Sequence, residues 1–174
     1  MDISDNWALG LADILPEPQQ SSVDQYRVVD LFAGCGGLAL GFRSAGFDTV
    51  GFEIDPVACA TYRKNLKDPC FEAELKPGFD LPDCDILIGG PPCQPFSVGG
   101  KQAGLDDARD GFPTFLDAVA RLKPKIALIE NVRGLLYRNK RYFEEIGNRL
   151  ISLGYKVHFE LLNAKKYGVP QNRE

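Results

Sequence analysis

The residues best suited to chemistry lie in the run from Gly89 to Ser97, GGPPCQPFS, directly after the apolar stretch Asp85–Ile88. Prolines on both sides of Cys93 restrict the backbone, and the two glycines allow a sharp turn at the end of a strand. A free cysteine usually packs as a small hydrophobic residue. This thiol, however, follows a predicted parallel strand, where open α/β sheets bind ligands. We therefore interpret Cys93 as a nucleophile.

A glycine-rich turn, DLFAGCGG over Asp30–Gly37, follows the first predicted strand and lets the backbone approach a nucleotide-like ligand. Glu53 ends the second predicted strand, where an acid can accept hydrogen bonds from a ribose. A dinucleotide-binding dehydrogenase would also fit this pattern. Asp30, however, suits a cationic ligand better than a pyrophosphate. S-adenosylmethionine carries an ammonium, a sulfonium and a ribose, so we favour it as the cofactor.

Two further segments carry polar groups at predicted strand ends. Glu130-Asn131-Val132 follows an apolar strand, which would bring a carboxylate to the same edge of the sheet as Cys93. The alternative interpretation of Glu130 is an acid that stabilises a helix N-terminus. The segment 167–173 carries an amide and a guanidinium, and by itself it indicates only a loop.

Strands and helices alternate along most of the chain. The apolar patterns predict strands at 27–32, 49–54, 71–75, 85–88, 126–129 and 156–162, and helices at 38–45, 56–66, 115–122 and 143–153. Such alternation predicts an α/β fold with a doubly wound, mostly parallel, Rossmann-like sheet covered by helices on both faces.

Length and composition indicate one globular domain, because the chain has 174 residues of which 44% are hydrophobic and 25% charged. We expect a flexible acidic leader over residues 1–25 and a catalytic domain over residues 26–174. No apolar run approaches the length of a membrane span, and the N-terminus lacks the features of a signal peptide. We therefore expect an intracellular, cytoplasmic protein without a membrane partner.

Cysteine, histidine and charge patterns narrow the chemistry. The five cysteines form no C-x-x-C pair, so neither a disulfide framework nor a metal site is expected, and the single histidine, His158, is interpreted as structural. Residues 121–174 hold 12 basic and 5 acidic side chains. This basic third is compatible with a nucleic-acid surface or with solvated helix faces.

In their order and spacing, four segments resemble motifs of the DNA cytosine-5 methyltransferases. Asp30–Gly37 is similar to the cofactor loop of that family, and Pro91–Ser97 to its Pro-Cys loop. Glu130–Val132 matches its Glu-Asn-Val motif, and Gln171–Arg173 the opening of its Gln-x-Arg-x-Arg motif. The resemblance covers residues 27–174. It implies an S-adenosylmethionine-dependent fold and methylation of cytosine carbon 5 in double-stranded DNA, in a restriction-modification setting.

The resemblance also implies roles for individual residues. Cys93 would attack carbon 6 of a flipped cytosine, Glu130 would act near N3, and Arg173 would hold the base. The cofactor pocket would be formed by Phe32, Gly34, Cys35, Gly36, Gly37, Glu53, Ile54, Glu72 and Pro92. DNA contacts would come from Ser97, Lys101, Gln102 and Arg109. Glu72 stands in a region where the family usually has an aspartate, and the link at 109–113 is slightly longer than usual.

Family members continue beyond Gln-x-Arg with a strand that lies between 126–129 and 156–162, then a DNA-recognition domain and a last helix. We therefore expect a sheet without its final antiparallel strand, and a fragment or a split enzyme completed by a C-terminal half in the same or another chain. Three other interpretations stay open: a tRNA cytosine-5 methyltransferase, a regulatory subunit without the chemistry, and a nicotinamide dehydrogenase.

Overall fold

The structure is a computed structural model that describes residues 26–93 and 110–174. The expected leader, residues 1–25, lies outside the described residues. The elements are, in chain order, β1 (Val28–Leu31), α1 (Gly37–Ser44), β2 (Thr49–Glu53), α2 (Pro56–Leu66), β3 (Cys70–Glu72), β4 (Ile86–Gly89), α3 (Phe112–Leu122), β5 (Ile126–Ile129), α4 (Arg133–Tyr137), α5 (Lys140–Ser152) and a 3₁₀ helix (Ala164–Tyr167).

The five described strands form one parallel sheet in the order β3-β2-β1-β4-β5. The chain moves outward from β1 to β3 and then crosses back to place β4 on the other side of β1. A topological switch point therefore lies between β1 and β4, where Leu31 pairs with Gly89. Open α/β sheets bind ligands beyond the carboxyl ends of the strands at such a point. The predicted α/β, doubly wound fold is confirmed.

Helices cover both faces of the sheet. Val29 and Leu87 pack in one cluster with Phe115 of α3 and Ile146 of α5. On the other face, α1 lies against Val28 and the neighbouring strand residues, while Tyr62 and Leu66 of α2 belong to a separate cluster. All residues of β1 and β4 are buried, and both strands are mainly apolar, as is typical of parallel sheets covered on both faces; Asp30 of β1 is the exception.

Local sequence explains where the elements near the switch point begin and how closely they approach. Asp55 caps α2, since its carboxylate accepts a hydrogen bond of 2.8 Å from the backbone N–H of Val57, and Pro56 occupies the first turn. At Gly89, an added Cβ would lie 2.4 Å from the carbonyl oxygen of Leu31. The close approach of β1 and β4 at the switch point therefore requires glycine.

One predicted strand is wrong. Residues 156–162 have no strand assignment, and Val157, Phe159 and Leu161 are exposed although they alternate with polar residues. A strand forms only with a hydrogen-bonded neighbour, and among the described residues no strand pairs with this segment. Alternation alone therefore predicted an element whose pairing partner the described sheet lacks.

The sequence patterns did not predict two short helices, α4 and the 3₁₀ helix. Helices this short bury few side chains, so the apolar periodicity that identified the longer helices is missing. None of the helices within 26–93 and 110–174 is long and apolar enough to cross a membrane.

Candidate active site

The Pro-Cys segment leaves β4 at the switch point and is held by residues that follow β5. The backbone N–H of Glu130 donates to the carbonyl oxygen of Gly89 at 3.0 Å. The side-chain amide of Asn131 donates to the carbonyl oxygen of Pro91 at 2.8 Å. The Glu-Asn-Val segment thus fixes the backbone two residues before Cys93, a role of Asn131 that sequence reasoning missed.

The Glu130 carboxylate lies on the same edge of the sheet as Cys93. Its Oε2 is 3.3 Å from the position that a Cβ would take on Gly90, three residues before the thiol. The Glu130 side chain is exposed, whereas Cys93 is half-buried. The acid is therefore accessible at the edge of the sheet to which β4 also brings the thiol.

The Cys93 thiol lies in a surrounding that disfavours its charged form. Cys93 and Asp110 form an isolated antiparallel bridge, and the N–H of Gly111 donates to the carbonyl oxygen of Pro92 at 2.9 Å. Burial, and after it the negative charge of Asp110, raise the pKa of Cys93 to about 11. Among the described residues, the charged group that acts on this thiol is Asp110, which disfavours the thiolate.

The glycine turn and the end of β2 are joined by the Glu53 carboxylate. Its Oε2 accepts a hydrogen bond of 2.8 Å from the N–H of Gly34, and its Oε1 accepts one of 2.9 Å from the N–H of Asp55. A carboxylate offers about four lone-pair positions, so acceptor capacity remains for ligand hydroxyls. Ile54, directly after Glu53, is an exposed apolar side chain. This pair is compatible with a ribose next to a flat apolar ring.

Phe32 connects the glycine turn with the Pro-Cys segment. Its φ is +57°, a left-handed conformation that is unusual for a bulky residue. Its ring atom Cζ lies 3.0 Å from the position of a Cβ on Gly111, and that position also lies 2.5 Å from Cδ of Pro92. Backbone strain of this kind concentrates at ligand-binding sites. The predicted cofactor turn and the predicted nucleophile are therefore in one continuous packing unit.

Asp30 differs from our expectation of a residue that faces a cationic ligand. Its side chain is only 1% exposed. Its Oδ2 has no hydrogen-bond partner within the described part of the chain. Burial, and after it the charge of Glu53, raise the pKa of Asp30 to about 8. Asp30 is therefore a buried acid of β1 whose protonated form is favoured, and it is not a residue at the surface of the turn.

The remaining predicted residues divide into three groups. Cys35, Gly37 and Glu72 are exposed at the carboxyl edge of the sheet, and Gly36 is buried at the start of α1. Arg173 is exposed, and the neighbouring Glu174 forms an ion pair of 2.5 Å with Arg133 of α4. This ion pair brings the end of the chain to the start of α4, close to the Glu-Asn-Val segment. Ser97, Lys101, Gln102 and Arg109 lie outside the described residues.

Asp110 is the second residue whose importance sequence reasoning missed. It was considered only as part of a longer link, because an acid in a loop carries no signal of its own. Its contacts with Cys93 and α5 depend on residues far apart in the sequence, so only the fold reveals them.

The switch-point turn, the strand order and the Pro-Cys segment define a methyltransferase-type α/β protein. A solved structure with the same fold is a mutant of DNMT2 from Spodoptera frugiperda, with a TM-score of 0.56 and 22% identity over 74% of this chain and 41% of that one. The family model described as C-5 cytosine-specific DNA methylase matches residues 26–174. The chain therefore belongs to the C-5 cytosine-specific DNA methylase family, and the family and the fold imply S-adenosylmethionine as the cofactor.

Curated relatives of the chain include Type II methyltransferases of bacteria. M.AplI of Arthrospira platensis is 57% identical over 151 residues, which are 86% of this chain and 44% of the relative. M.NgoFVII of Neisseria gonorrhoeae is 40% identical over 161 residues, or 88% of this chain and 43% of the relative. The chain thus spans less than half the length of these relatives.

Proposed function

We propose that this chain is the catalytic part of an enzyme that methylates carbon 5 of cytosine in double-stranded DNA, as a modification methyltransferase of a restriction-modification system. The single observation that carries the proposal is the convergence of three groups at the switch point. Cys93 follows β4, the glycine turn follows β1, and Glu130 follows β5. A nucleophile, a cofactor turn and an acid on adjacent strand ends are the minimum that this reaction requires.

Cys93 is the proposed nucleophile. Carbon 5 of cytosine is a poor nucleophile, so a thiolate first adds to carbon 6 and turns the ring into an enamine. Carbon 5 can then accept a methyl group, after which loss of its proton and elimination of the thiolate release the product. The hydrogen bond from Asn131 to the Pro91 carbonyl supports this role, because it fixes the turn from which the thiol projects.

Glu130 and Arg173 are the proposed partners of the base. As the thiolate adds, negative charge develops on the ring, and an acid near N3 offsets it by protonation or by a shared proton. The exposed carboxylate of Glu130 beside Gly90 is open to such a contact. Arg173 would orient the base through its guanidinium, and the ion pair between Glu174 and Arg133 supports its location near Glu130.

The cofactor pocket is proposed on Phe32–Gly37, Glu53 and Ile54, with Glu72 and Pro92 at its borders. S-adenosylmethionine supplies the methyl group when it is bound. Glu53 would accept hydrogen bonds from the ribose, and Ile54 would cover the adenine. The exposed side chain of Ile54 and the acceptor capacity left on the Glu53 carboxylate support these contacts.

Double-stranded DNA is the proposed macromolecular substrate, and the protein would act on it in the cytoplasm. A stacked base cannot reach a thiol at the edge of a sheet, so the cytosine would have to be flipped out of the duplex. Ser97, Lys101, Gln102 and Arg109 remain the proposed DNA contacts. The basic side chains of residues 121–174 would add attraction to the phosphates.

We further propose that a C-terminal portion, in the same or another polypeptide, completes this sheet. Its support is the cleft of about 650 Å³ between β5 and residues 154–158, whose walls include Ile126, Leu128 and Val157. Ile126 is 54% exposed and Leu128 is 40% exposed, although both belong to the apolar strand β5. The outer edge of β5 pairs with no other strand in the ranges that the structure describes. An added strand between β5 and 156–162 would satisfy both edges.

The test is a covalent-trapping experiment with the chain combined with the remaining C-terminal portion of M.AplI. A mixed-sequence duplex in which 5-fluorocytosine replaces cytosine cannot lose a proton from carbon 5, so the adduct with the thiol persists. We expect an adduct on a denaturing gel that depends on S-adenosylmethionine. The substitution Cys93→Ser should abolish both the adduct and the transfer of labelled methyl groups to normal duplex DNA.

The matched control is Cys84→Ala, which removes a buried thiol away from the switch point and should retain both signals. If the Cys93→Ser protein transfers methyl groups as fast as the unmodified protein, Cys93 is not the nucleophile. Transfer to tRNA with none to duplex DNA would refute the substrate, and no transfer to either would favour a regulatory subunit.

A further inference from the structure

The surroundings of Cys93 contain a carboxylate whose position is fixed from two sides. Asp110 is 7% exposed, and its Oδ1 accepts a hydrogen bond of 3.0 Å from the N–H of Phe112 at the start of α3. Its Oδ2 accepts a hydrogen bond from the hydroxyl of Tyr142, a buried residue of α5. Both oxygens are therefore anchored to elements of the core.

The backbone places this carboxylate beside the thiol. Cys93 and Asp110 are opposite each other in an antiparallel bridge, in which the side chains of a pair project to the same face with Cβ atoms about 4.5–5.5 Å apart. The hydrogen bond from Gly111 to Pro92 closes the same pairing. Asp110 thus belongs to the framework that holds the Pro-Cys turn.

Asp110, the charged group that acts on the thiol among the described residues, opposes a second negative charge there. Among the described residues, the ionisable side chains that act on or around Cys93 are Asp110 and Tyr142, with Glu145 of α5 beyond Tyr142. Burial, and after it the hydrogen bond to Asp110, hold the pKa of Tyr142 above its usual range, so Tyr142 stays protonated and donates to Asp110. The hydroxyl therefore stabilises the carboxylate in its charged form.

We propose that Asp110 is a positioning residue for Cys93 that holds the Pro-Cys turn in place and keeps the thiol protonated in the enzyme without DNA. The inference rests on the proposed role of Cys93 as the nucleophile. It goes further, because it attributes the protonated resting state of the Cys93 thiol to the buried Asp110 on the opposite side of the bridge. A protonated thiol resists alkylation and oxidation, because the thiolate is the reactive form.

The test measures alkylation of the DNA-free chain by iodoacetamide between pH 6 and 10.5, with each cysteine followed by peptide mass spectrometry. Cys35 is exposed and serves as the internal reference thiol. Because the pKa of Cys93 is raised to about 11, its alkylation rate should still be rising at pH 10, where that of an ordinary thiol has levelled off. If the alkylation rate of Cys93 rises over the same pH range as that of Cys35, or at lower pH, the proposal is overturned without any variant.

Three variants isolate the charge. Asp110→Asn removes it with little change of shape and should raise the Cys93 alkylation rate at pH 8 by about three- to tenfold, equivalent to lowering the pKa by about half to one unit. Asp110→Glu keeps the charge and should react slowly like the unmodified chain. Asp117→Asn is the matched control, because this carboxylate on α3 pairs with Arg121 and Gly78, and the alkylation rate of Cys93 should not change.

An Asp110→Asn rate equal to that of the unmodified chain, or an Asp110→Glu rate as fast as that of Asp110→Asn, would refute the role of the charge. Alkylation of the buried Cys59, Cys70 and Cys84 identifies any variant that unfolds. In that case the pH dependence of Cys93 alkylation in the unmodified chain decides whether the proposal holds. Because neither DNA nor S-adenosylmethionine is present, this result is independent of whether the chain methylates cytosine.

Discussion

At the scale of residues, the Glu53 carboxylate connects two segments that are far apart in the sequence. Its two oxygens accept backbone N–H groups from the glycine turn and from the start of α2. These bonds hold the side chain in one orientation before a ligand arrives. Preorganisation of this kind reduces the entropy that binding must overcome.

Replacing Glu53 by Gln should therefore weaken S-adenosylmethionine binding. The amide nitrogen cannot accept from a backbone N–H, so one of the two bonds to Gly34 and Asp55 is lost together with the charge. A hydrogen bond to a charged group contributes about 1.5–3 kcal/mol, so we expect an affinity loss of about tenfold to a hundredfold in titration calorimetry.

The control for this change is Glu74→Gln, since the Glu74 side chain is exposed and pairs only with Lys76, at 3.0 Å, among the interactions of the described residues. It should bind the cofactor like the unmodified chain. If the Glu53→Gln and Glu74→Gln proteins bind S-adenosylmethionine with equal affinity, Glu53 does not contribute to cofactor binding.

At the scale of elements, α1 depends on a glycine that no other residue replaces. Gly36 has a φ of +88°, and an added Cβ would lie 2.8 Å from atoms of both Tyr62 and Leu66. Left-handed backbone costs about 1–2 kcal/mol for a residue with a Cβ, and overpacking adds about 1–3 kcal/mol. Gly36→Ala should therefore lower the free energy of unfolding by about 2–5 kcal/mol in urea titrations.

Gly41, in the same helix, gives the opposite expectation. It has no neighbour within 4 Å of an added Cβ, so Gly41→Ala should stabilise the chain by about 0.5–1 kcal/mol. A loss of stability with Gly41→Ala as large as that with Gly36→Ala would mean that α1 rejects alanine in general and that the turn geometry is not the cause.

Local signals predicted elements well wherever they were strong. Helix α2 was predicted within its observed bounds, because Pro56 marks a helix start and the apolar periodicity ends near Leu66. The strand at 156–162 was predicted wrongly, because its alternation is real but the pairing that defines a strand is not local. The same limit applies in the site: Cys93 and Glu130 stand in recognisable motifs, whereas Asn131 and Asp110 act through contacts that depend on the fold.

At the scale of the whole molecule, the apolar surface is unevenly distributed. The exposed apolar side chains include Ile126 and Leu128 of β5 and Val157, Phe159 and Leu161 of the segment 156–162. Apolar side chains that line both walls of a cleft beside an unpaired strand edge are an aggregation hazard unless another segment covers them. The proposed C-terminal portion would cover this surface.

Placing a charge in this cleft should therefore prevent assembly while leaving the fold intact. Leu128 is 40% exposed, so Leu128→Lys should change the free energy of unfolding of this chain by less than about 0.5 kcal/mol, as is usual for surface substitutions. Under an added strand, however, the lysine would be buried without a partner, which carries a large desolvation cost. We expect association with the C-terminal portion of M.AplI, measured by sedimentation velocity, to weaken more than about tenfold.

Val57→Lys is the matched control, since Val57 is 73% exposed on α2 at the other end of the sheet, and it should associate normally. Undiminished association of the Leu128→Lys protein would place the C-terminal portion elsewhere and leave the β5 edge without an assigned partner.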